Sequence, residues 1–239
     1  MSWFSNFSNS SIGNKVLISL TGLFLSLFLV VHLAGNLQLL VDDGGVAFNS
    51  YSDVMSSNLL IKVVALALYA AIIAHAVKGI LIYVKNRRAR GNIKYAVKSS
   101  SKSSWASRNM ALLGSLLFIF IAIHMGHFWF KFKFGYMENH PDLTHYDVVV
   151  TGFKQSWIVA FYVLAQIALG YHLLHGFQSA FQTLGIRKGK YTKLIQNIGV
   201  VFSIIVPLAF AVIPVLVYLD IYPLGAFTVI PGQPLEAMH

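Results

Sequence analysis

Five runs of predominantly apolar residues, at about 16–40, 59–84, 109–132, 155–182 and 194–219, dominate this chain and leave it few ways to fold. A hydrocarbon layer about 30 Å thick is crossed by roughly 20 residues of helix, and each run reaches that length. Lipid offers no partner to a backbone N–H or C=O, so such runs satisfy themselves as helices. The expectation is an all-α integral membrane fold, one membrane domain over residues 1–239 with five transmembrane helices. Only 11% of residues are charged against 56% hydrophobic, which suits lipid as the solvent. The connections, among them DDGG at 42–45, KNRRARGNIK at 85–94 and GYMENHPDLTHYD at 135–147, are turn-rich or charged. None is long enough for a soluble domain.

A net charge of +10 would suit a nucleic-acid binder, but 12 of the 18 Lys and Arg fall within residues 85–108 and 187–193, between apolar runs. The second connection carries Lys85, Arg87, Arg88, Arg90, Lys94, Lys98, Lys102 and Arg108, and the fourth carries Arg187, Lys188, Lys190 and Lys193. The first carries Asp42, Asp43 and Asp53, and the third is mixed, with Glu138, Asp142 and Asp147. Basic connections stay on the cytoplasmic side during insertion. The expected topology therefore has a cytoplasmic N-terminus and a periplasmic C-terminus in a bacterial inner membrane, with helices one, three and five running outward. The N-terminal MSWFSNFSNSSIGNK lacks a charged start before a short apolar core, so a cleaved signal is not expected.

The chain has no cysteine, which excludes thiolate zinc sites, cysteine-ligated iron–sulfur clusters and covalent c-type heme. Histidine is the remaining soft ligand. Six histidines lie in the spans, His32, His75, His124, His127, His172 and His175, on all of the first four helices and not on the fifth. An imidazole inside lipid is costly and marks an interior polar contact, a proton path or a metal ligand. Depth discriminates among these, because each helical residue advances about 1.5 Å. Counted from the cytoplasmic ends, His32 and His124 lie about 24 and 22 Å in, and His75 and His172 about 13 and 15 Å in. The histidines thus sort into two levels with two helices each. Two opposed imidazoles at one level describe a bis-histidine heme b, and two levels describe two hemes stacked within a four-helix bundle, with the fifth helix peripheral.

Small residues repeat at matching offsets. Gly22 lies ten residues before His32 and Gly114 ten before His124, while Gly79 follows His75 by four and Gly176 follows His172 by four. The two helical hairpins read as copies, and glycine near a ligand removes a side chain that would strike a porphyrin, although close helix packing also favours glycine. His127 and His175 lie three residues beyond His124 and His172, on neighbouring parts of the same faces. His127 falls at the outer boundary in HFWFKF, where it is either an ordinary interfacial histidine or a contact for quinone or a propionate, and His175 is an alternative ligand to His172. His140, His145 and His239 lie in connections or the tail. Trp129 and Trp157 near the outer boundary and Trp105 near the inner one suit an aromatic belt. Pro207 and Pro214 are expected to bend the fifth helix, and Ser26 and Gln166 to satisfy interior polar contacts.

With VHLAGN at 31–36, IAHAVKG at 73–79, FIAIH at 120–124 and YHLLHGFQSAFQTLG at 171–185, the chain resembles the diheme cytochrome b anchor of succinate:quinone oxidoreductases and quinol:fumarate reductases. The likeness is to the form in which one subunit supplies the whole membrane part, and it extends over nearly the full length. It implies pairing of His32 with His124 at an outer heme and of His75 with His172 at an inner heme. It also implies a flavoprotein (FAD) subunit, an iron–sulfur subunit and quinone, usually menaquinone, as partners in a respiratory complex II. In such anchors an acid near the outward end serves quinone proton exchange. Asp53 is the nearest positional match, with Asp42 and Asp43 as rivals, a solvated loop acid being the other reading, and Asn36 and Lys62 lie near the same boundary, where Lys62 can meet a propionate or reach the surface. The chain has no Gly-rich dinucleotide loop or soluble module, so no catalytic residue for succinate chemistry is expected in it. Two other readings stay open: a cytochrome b anchor of a hydrogenase or formate dehydrogenase, and a proton-coupled transporter with relay histidines. Equal-depth pairs are not a feature of the latter.

Overall fold

The computed structural model describes residue 7 and residues 10–91, 104–187 and 189–222. Lys94, Lys98, Lys102, Lys188 and His239 lie outside the described residues, as does most of the N-terminal stretch read for a signal. Among the described residues the structure is helical with no strand, and five helices are long and apolar enough to cross a membrane: Ser11–Leu40, Leu59–Ala89, Met110–Lys133, Ser156–Thr183 and Tyr191–Tyr218.

Helix α1 (Ser11–Leu37) starts about a turn before the apolar run because Ser10 caps it, its side chain accepting from the Gly13 N–H at 2.9 Å. A 3₁₀ turn, Gln38–Leu40, closes the first span. The next helix was not expected. Asp43 accepts from the N–H groups of Gly45 and Ala47 at 2.9 and 2.7 Å, Gly45 turns the chain at φ +89°, and α2 (Val46–Ser57) follows. The Asn58 side chain then caps α3 (Leu59–Arg90), which continues past residue 84 through Lys85–Arg90 and stops at Gly91, φ +65°. Lys and Arg are good helix formers whose charged heads reach water from a helix end, so their charge does not end the helix.

After α4 (Trp105–Arg108), the third span comprises α5 (Met110–His124), a π turn at Met125–Trp129 and α6 (Phe130–Lys133). A second unexpected helix, α7 (His145–Phe153), opens with a capping box between Thr144 and Asp147. The fourth and fifth spans are α8 (Ser156–Thr183) and α9 (Tyr191–Tyr218).

The bundle has two unlike ends. At the basic end, Lys85 Nζ donates to Ser11 Oγ at 3.1 Å and joins the first two spans. The opposite end is capped by α2 and α7, where the Tyr146 N–H donates to Asn49 Oδ1 at 3.0 Å and the Tyr146 ring covers Gly45. Most of the buried core lies at the capped end, with Leu39, Phe128, Phe153, Tyr162, Ile213 and Val217 in one cluster. The cluster nearer the basic end is small: Ala106, Leu113 and Ala168. Leu66, Ile73, Leu164 and Leu208 are exposed on helix surfaces, as suits side chains that face lipid.

The fifth span is less peripheral than its lack of histidine suggested. Pro207 has no N–H to give the Ser203 carbonyl one turn back. The fourth span approaches that carbonyl at Gly170, where a Cβ would stand 3.2 Å from the Ser203 oxygen. Beyond it, Pro214 and Val217 are fully buried. Lys154 donates to the Val217 carbonyl at 3.0 Å and pairs with Asp220, fastening the end of the fifth span to the start of the fourth.

Candidate functional site

A cavity of about 2300 Å³ runs through the middle of the bundle, and His32, His75, His124, His172 and His175 all line it. One drug-sized ligand takes a pocket of roughly 300–1,000 Å³, so the volume of this cavity exceeds that of a single such site.

The four histidines of the two depth levels meet in the pairs that counting along the helices gave. On the capped side, the His32 and His124 ring centroids lie 5.8 Å apart with planes at 87°. On the basic side, those of His75 and His172 lie 6.1 Å apart at 62°. An imidazole nitrogen binds a first-row metal at about 2.0 Å, so a metal held linearly between two rings separates their centroids by roughly 6.3 Å. Both pairs fall within half an ångström of that spacing.

Helix register sets the two levels. A Cβ built on Gly22 would stand 3.1 Å from Cε1 of His75, so Gly22 of the first span lies at the basic-side level. Gly114 of the third span lies there too, 3.8 Å by the same measure from Cε1 of His172. Each glycine is ten residues, about 15 Å of helix axis, from the histidine its own span gives to the other pair. The ten-residue offset in the sequence therefore has a spatial meaning: each helix presents a ligand at one level and a gap at the other. Gly79 and Gly176 also line the cavity; a Cβ on Gly79 would meet Ile18 at 3.6 Å, and one on Gly176 would meet nothing within 4 Å.

The surroundings of the two pairs differ. His32 stacks on Phe28 at 5.1 Å and lies 5.6 Å from Phe210 of the fifth span. His124 stacks on Phe120 at 5.7 Å, and its Nδ1 lies 3.2 Å from the Tyr162 hydroxyl. Directly after His124 the helix widens into its π turn, a local geometry that recurs at functional positions. On the basic side, His75 Nδ1 lies 3.1 Å from the Thr21 hydroxyl, and His172 Nδ1 is buried with no hydrogen-bond partner. Sequence reasoning missed Thr21 and Tyr162. Their signal was positional: Thr21 precedes Gly22, and Tyr162 lies ten residues before His172, the offset that places a residue at the other level.

The remaining candidates separate by whether they reach the cavity. His175 lines it, while the ring set against His75 is that of His172. Asn36 and Lys62 line it at the capped end, with the Asn36 amide donating to the His32 carbonyl at 2.8 Å. Beside them, the half-buried Tyr51 hydroxyl donates to the Val31 carbonyl at 3.3 Å, and burial raises its pKa, so it stays a neutral donor. His127 does not line the cavity; its ring stacks with Tyr162 at 6.3 Å and lies 6.1 Å from Trp157. Asp53 is exposed on α2 and also away from the cavity, Asp43 is occupied as a helix cap, and Asp42 stands in the turn before it. Trp129 does more than sit in a belt, since its Nε1 donates to the Tyr69 hydroxyl at 2.7 Å and ties the third span to the second. Ser26 donates to the Gly22 carbonyl at 2.9 Å, whereas Gln166 Oε1 is buried without a partner.

No family model, curated protein or solved structure matches this chain.

Proposed function

We propose that this chain is a diheme cytochrome b membrane anchor that carries electrons between partner subunits at its basic end and the quinone pool, of the kind found in succinate:quinone oxidoreductases and fumarate reductases. The observation that carries the reading is the spacing of the two imidazole pairs, 5.8 and 6.1 Å, at two levels of one cavity. Among the described residues no set of three or more His, Asp or Glu side chains is placed to hold a metal ion. Two opposed imidazoles complete a coordination sphere when a planar macrocycle supplies the rest.

In this reading His32 and His124 hold one heme b, and His75 and His172 the other. Heme b, when bound, supplies a one-electron ferric/ferrous couple. The chain's own part is to hold the imidazoles at ligating distance, to leave room at Gly22, Gly79, Gly114 and Gly176, and to surround the group with apolar side chains that keep ions out. The basic end, cytoplasmic in this reading because basic connections stay inside, would receive the flavoprotein and iron–sulfur subunits. At the capped end Asn36 and Lys62, which reach the cavity, serve a propionate or the quinone in preference to Asp53 and His127, which do not.

The test is a dithionite-reduced minus oxidised spectrum of the purified protein with a pyridine hemochrome count, repeated for His75→Ala and His124→Ala. Two hemes b per chain with one lost in each variant is the expected result. A colourless protein sinks the cytochrome reading and favours proton-relay histidines. Co-purification of a nickel or molybdenum subunit in place of a flavoprotein would move the anchor to a hydrogenase or formate dehydrogenase.

A further inference from the structure

We infer that Thr21 is a positioning residue for the basic-side pair: its hydroxyl accepts from His75 Nδ1–H, fixing the tautomer that leaves the ring's lone pair on Nε2 for a metal. The inference rests on the proposed heme reading for its use, but its geometry is independent of it.

The argument follows from where the hydrogens go. A threonine hydroxyl has one hydrogen and two acceptor lone pairs. Thr21 Oγ1 lies 2.8 Å from the Leu17 carbonyl and 3.2 Å from that of Ile18, the back-bonding expected of a threonine inside a helix. Its hydrogen is committed there, so toward His75 Nδ1 at 3.1 Å it presents a lone pair. The Nδ1 must then carry the proton. The opposite arrangement puts the ring's only proton on Nε2, on a wall of the cavity made mostly of apolar side chains. With Nδ1–H donating, both polar hydrogens are used, and the Ile18 backbone, which also hydrogen-bonds to His75, can only accept from the ring through its carbonyl.

Position reinforces the choice. Gly22, the next residue, lets the first span come close enough for a Cβ there to stand 3.1 Å from His75 Cε1, so Thr21 and Gly22 act on one edge of the ring. The corresponding position before Gly114 in the second hairpin is Leu113, which has no hydroxyl, and His172 Nδ1 is the buried atom without a partner. One ligand of the basic-side pair is thus preset and the other is not. A hydrogen-bonded Nδ1–H raises the basicity of the other nitrogen and orients the ring, and loss of such a partner typically weakens metal binding about 10–100-fold.

The experiment compares Thr21→Val, which keeps shape and loses the hydroxyl, with Thr21→Ser, which keeps the hydroxyl. Heme retention is measured by hemochrome count during dilution, and midpoint potentials by spectroelectrochemical titration. The spectral component lost in His75→Ala identifies the basic-side heme. Thr21→Val is expected to weaken retention of that heme about 10–100-fold and to raise its potential, because a less basic imidazole stabilises ferric iron less; the other heme is untouched. Thr21→Ser is expected to match the parent protein. Equal shifts in both variants, or none in either, would overturn the inference while leaving the heme reading intact. If the purified protein carries no heme, the functional reading fails, and the tautomer is decided separately on the full chain. There ¹⁵N-histidine spectra, with His75→Ala to assign the signal, are expected to show Nδ1 protonated at His75; an Nε2–H signal overturns the assignment.

Discussion

The two imidazole pairs occupy one cavity, yet opposite means hold them. The capped-side pair sits among rings, with Phe28 and Phe210 against His32 and Phe120, Phe128 and Tyr162 against His124. The basic-side pair sits among small groups, with Gly22 beside His75, Gly114 beside His172, and the Thr21 hydroxyl and the Ile18 backbone as the polar contacts of His75. Aromatic packing spreads positional control over many weak contacts, whereas glycine and a single hydroxyl concentrate it in a few atoms. The capped-side ligands should therefore tolerate single changes nearby better than the basic-side ligands.

In the proposed diheme reading, removal of the paired histidines has the largest effect and shows whether the pairs are separable at all. In His32→Ala combined with His75→Ala, both levels lose a ligand, and the heme count is expected to fall to zero, while each single variant retains one heme. Loss of both hemes in one single variant would mean that the pairs fold as a unit, and the contrast between them would collapse.

Next in size is the contrast between Gly22 and Gly114. A methyl on Gly22 would stand 3.1 Å from His75 Cε1, a distance at which the ring must shift by a few tenths of an ångström, whereas a methyl on Gly114 stands at an ordinary 3.8 Å from His172. Gly22→Leu is therefore expected to expel His75 and remove the basic-side heme. Gly22→Ala should keep that heme with an altered low-spin electron paramagnetic resonance signal, and Gly114→Ala should alter the signal less. Equal responses of the two alanine variants would show that the basic-side pair is not held by close approach at Gly22.

Why some of this was legible in sequence and some not has a physical basis. Lipid removes the alternatives for a long apolar run, so all five spans can be read from hydropathy, and a histidine in such a run stands out because its burial is costly. The short helices α2 and α7 gave no such signal. VAFNSYSDVMSS mixes apolar residues with Ser, Asn and Asp that also favour turns, and α2 forms because Asp43 and Gly45 cap it and Tyr146 packs on it. Thr21 and Tyr162 were invisible for a different reason. A threonine hydroxyl as a rule satisfies itself on its own helix and a tyrosine in an apolar run reads as core, while their pairing with His75 and His124 depends on helices that meet 54 and 38 residues away. The acids near the capped end could not be ranked from sequence, since an exposed Asp53 and a capping Asp43 look the same there as a site acid.

Tyr162→Phe measures the ring cage directly. The substitution removes the one hydrogen bond to His124 Nδ1 and keeps the packing with Phe120, Phe128 and Phe153. The rings of Phe120 and Phe128 still hold His124 when the hydroxyl is lost, so retention of the capped-side heme is expected to weaken less than that of the basic-side heme in Thr21→Val. A loss as large as that of Thr21→Val, measured by the same dilution assay, would show that the capped side depends on its hydroxyl as much as the basic side does.

The smallest effect belongs to Gly176, and it separates protein packing from cofactor packing. A Cβ there meets no protein atom within 4 Å, so Gly176→Ala is expected to leave helix content and thermal unfolding at the parent values. The same methyl projects from a residue that lines the cavity one turn beyond His172. If a macrocycle lies between His75 and His172, that methyl borders it, and heme retention should fall a few-fold while the fold is unchanged. Unchanged retention together with unchanged folding would place the macrocycle away from Gly176 and reduce its matched offset with Gly79 to ordinary helix packing.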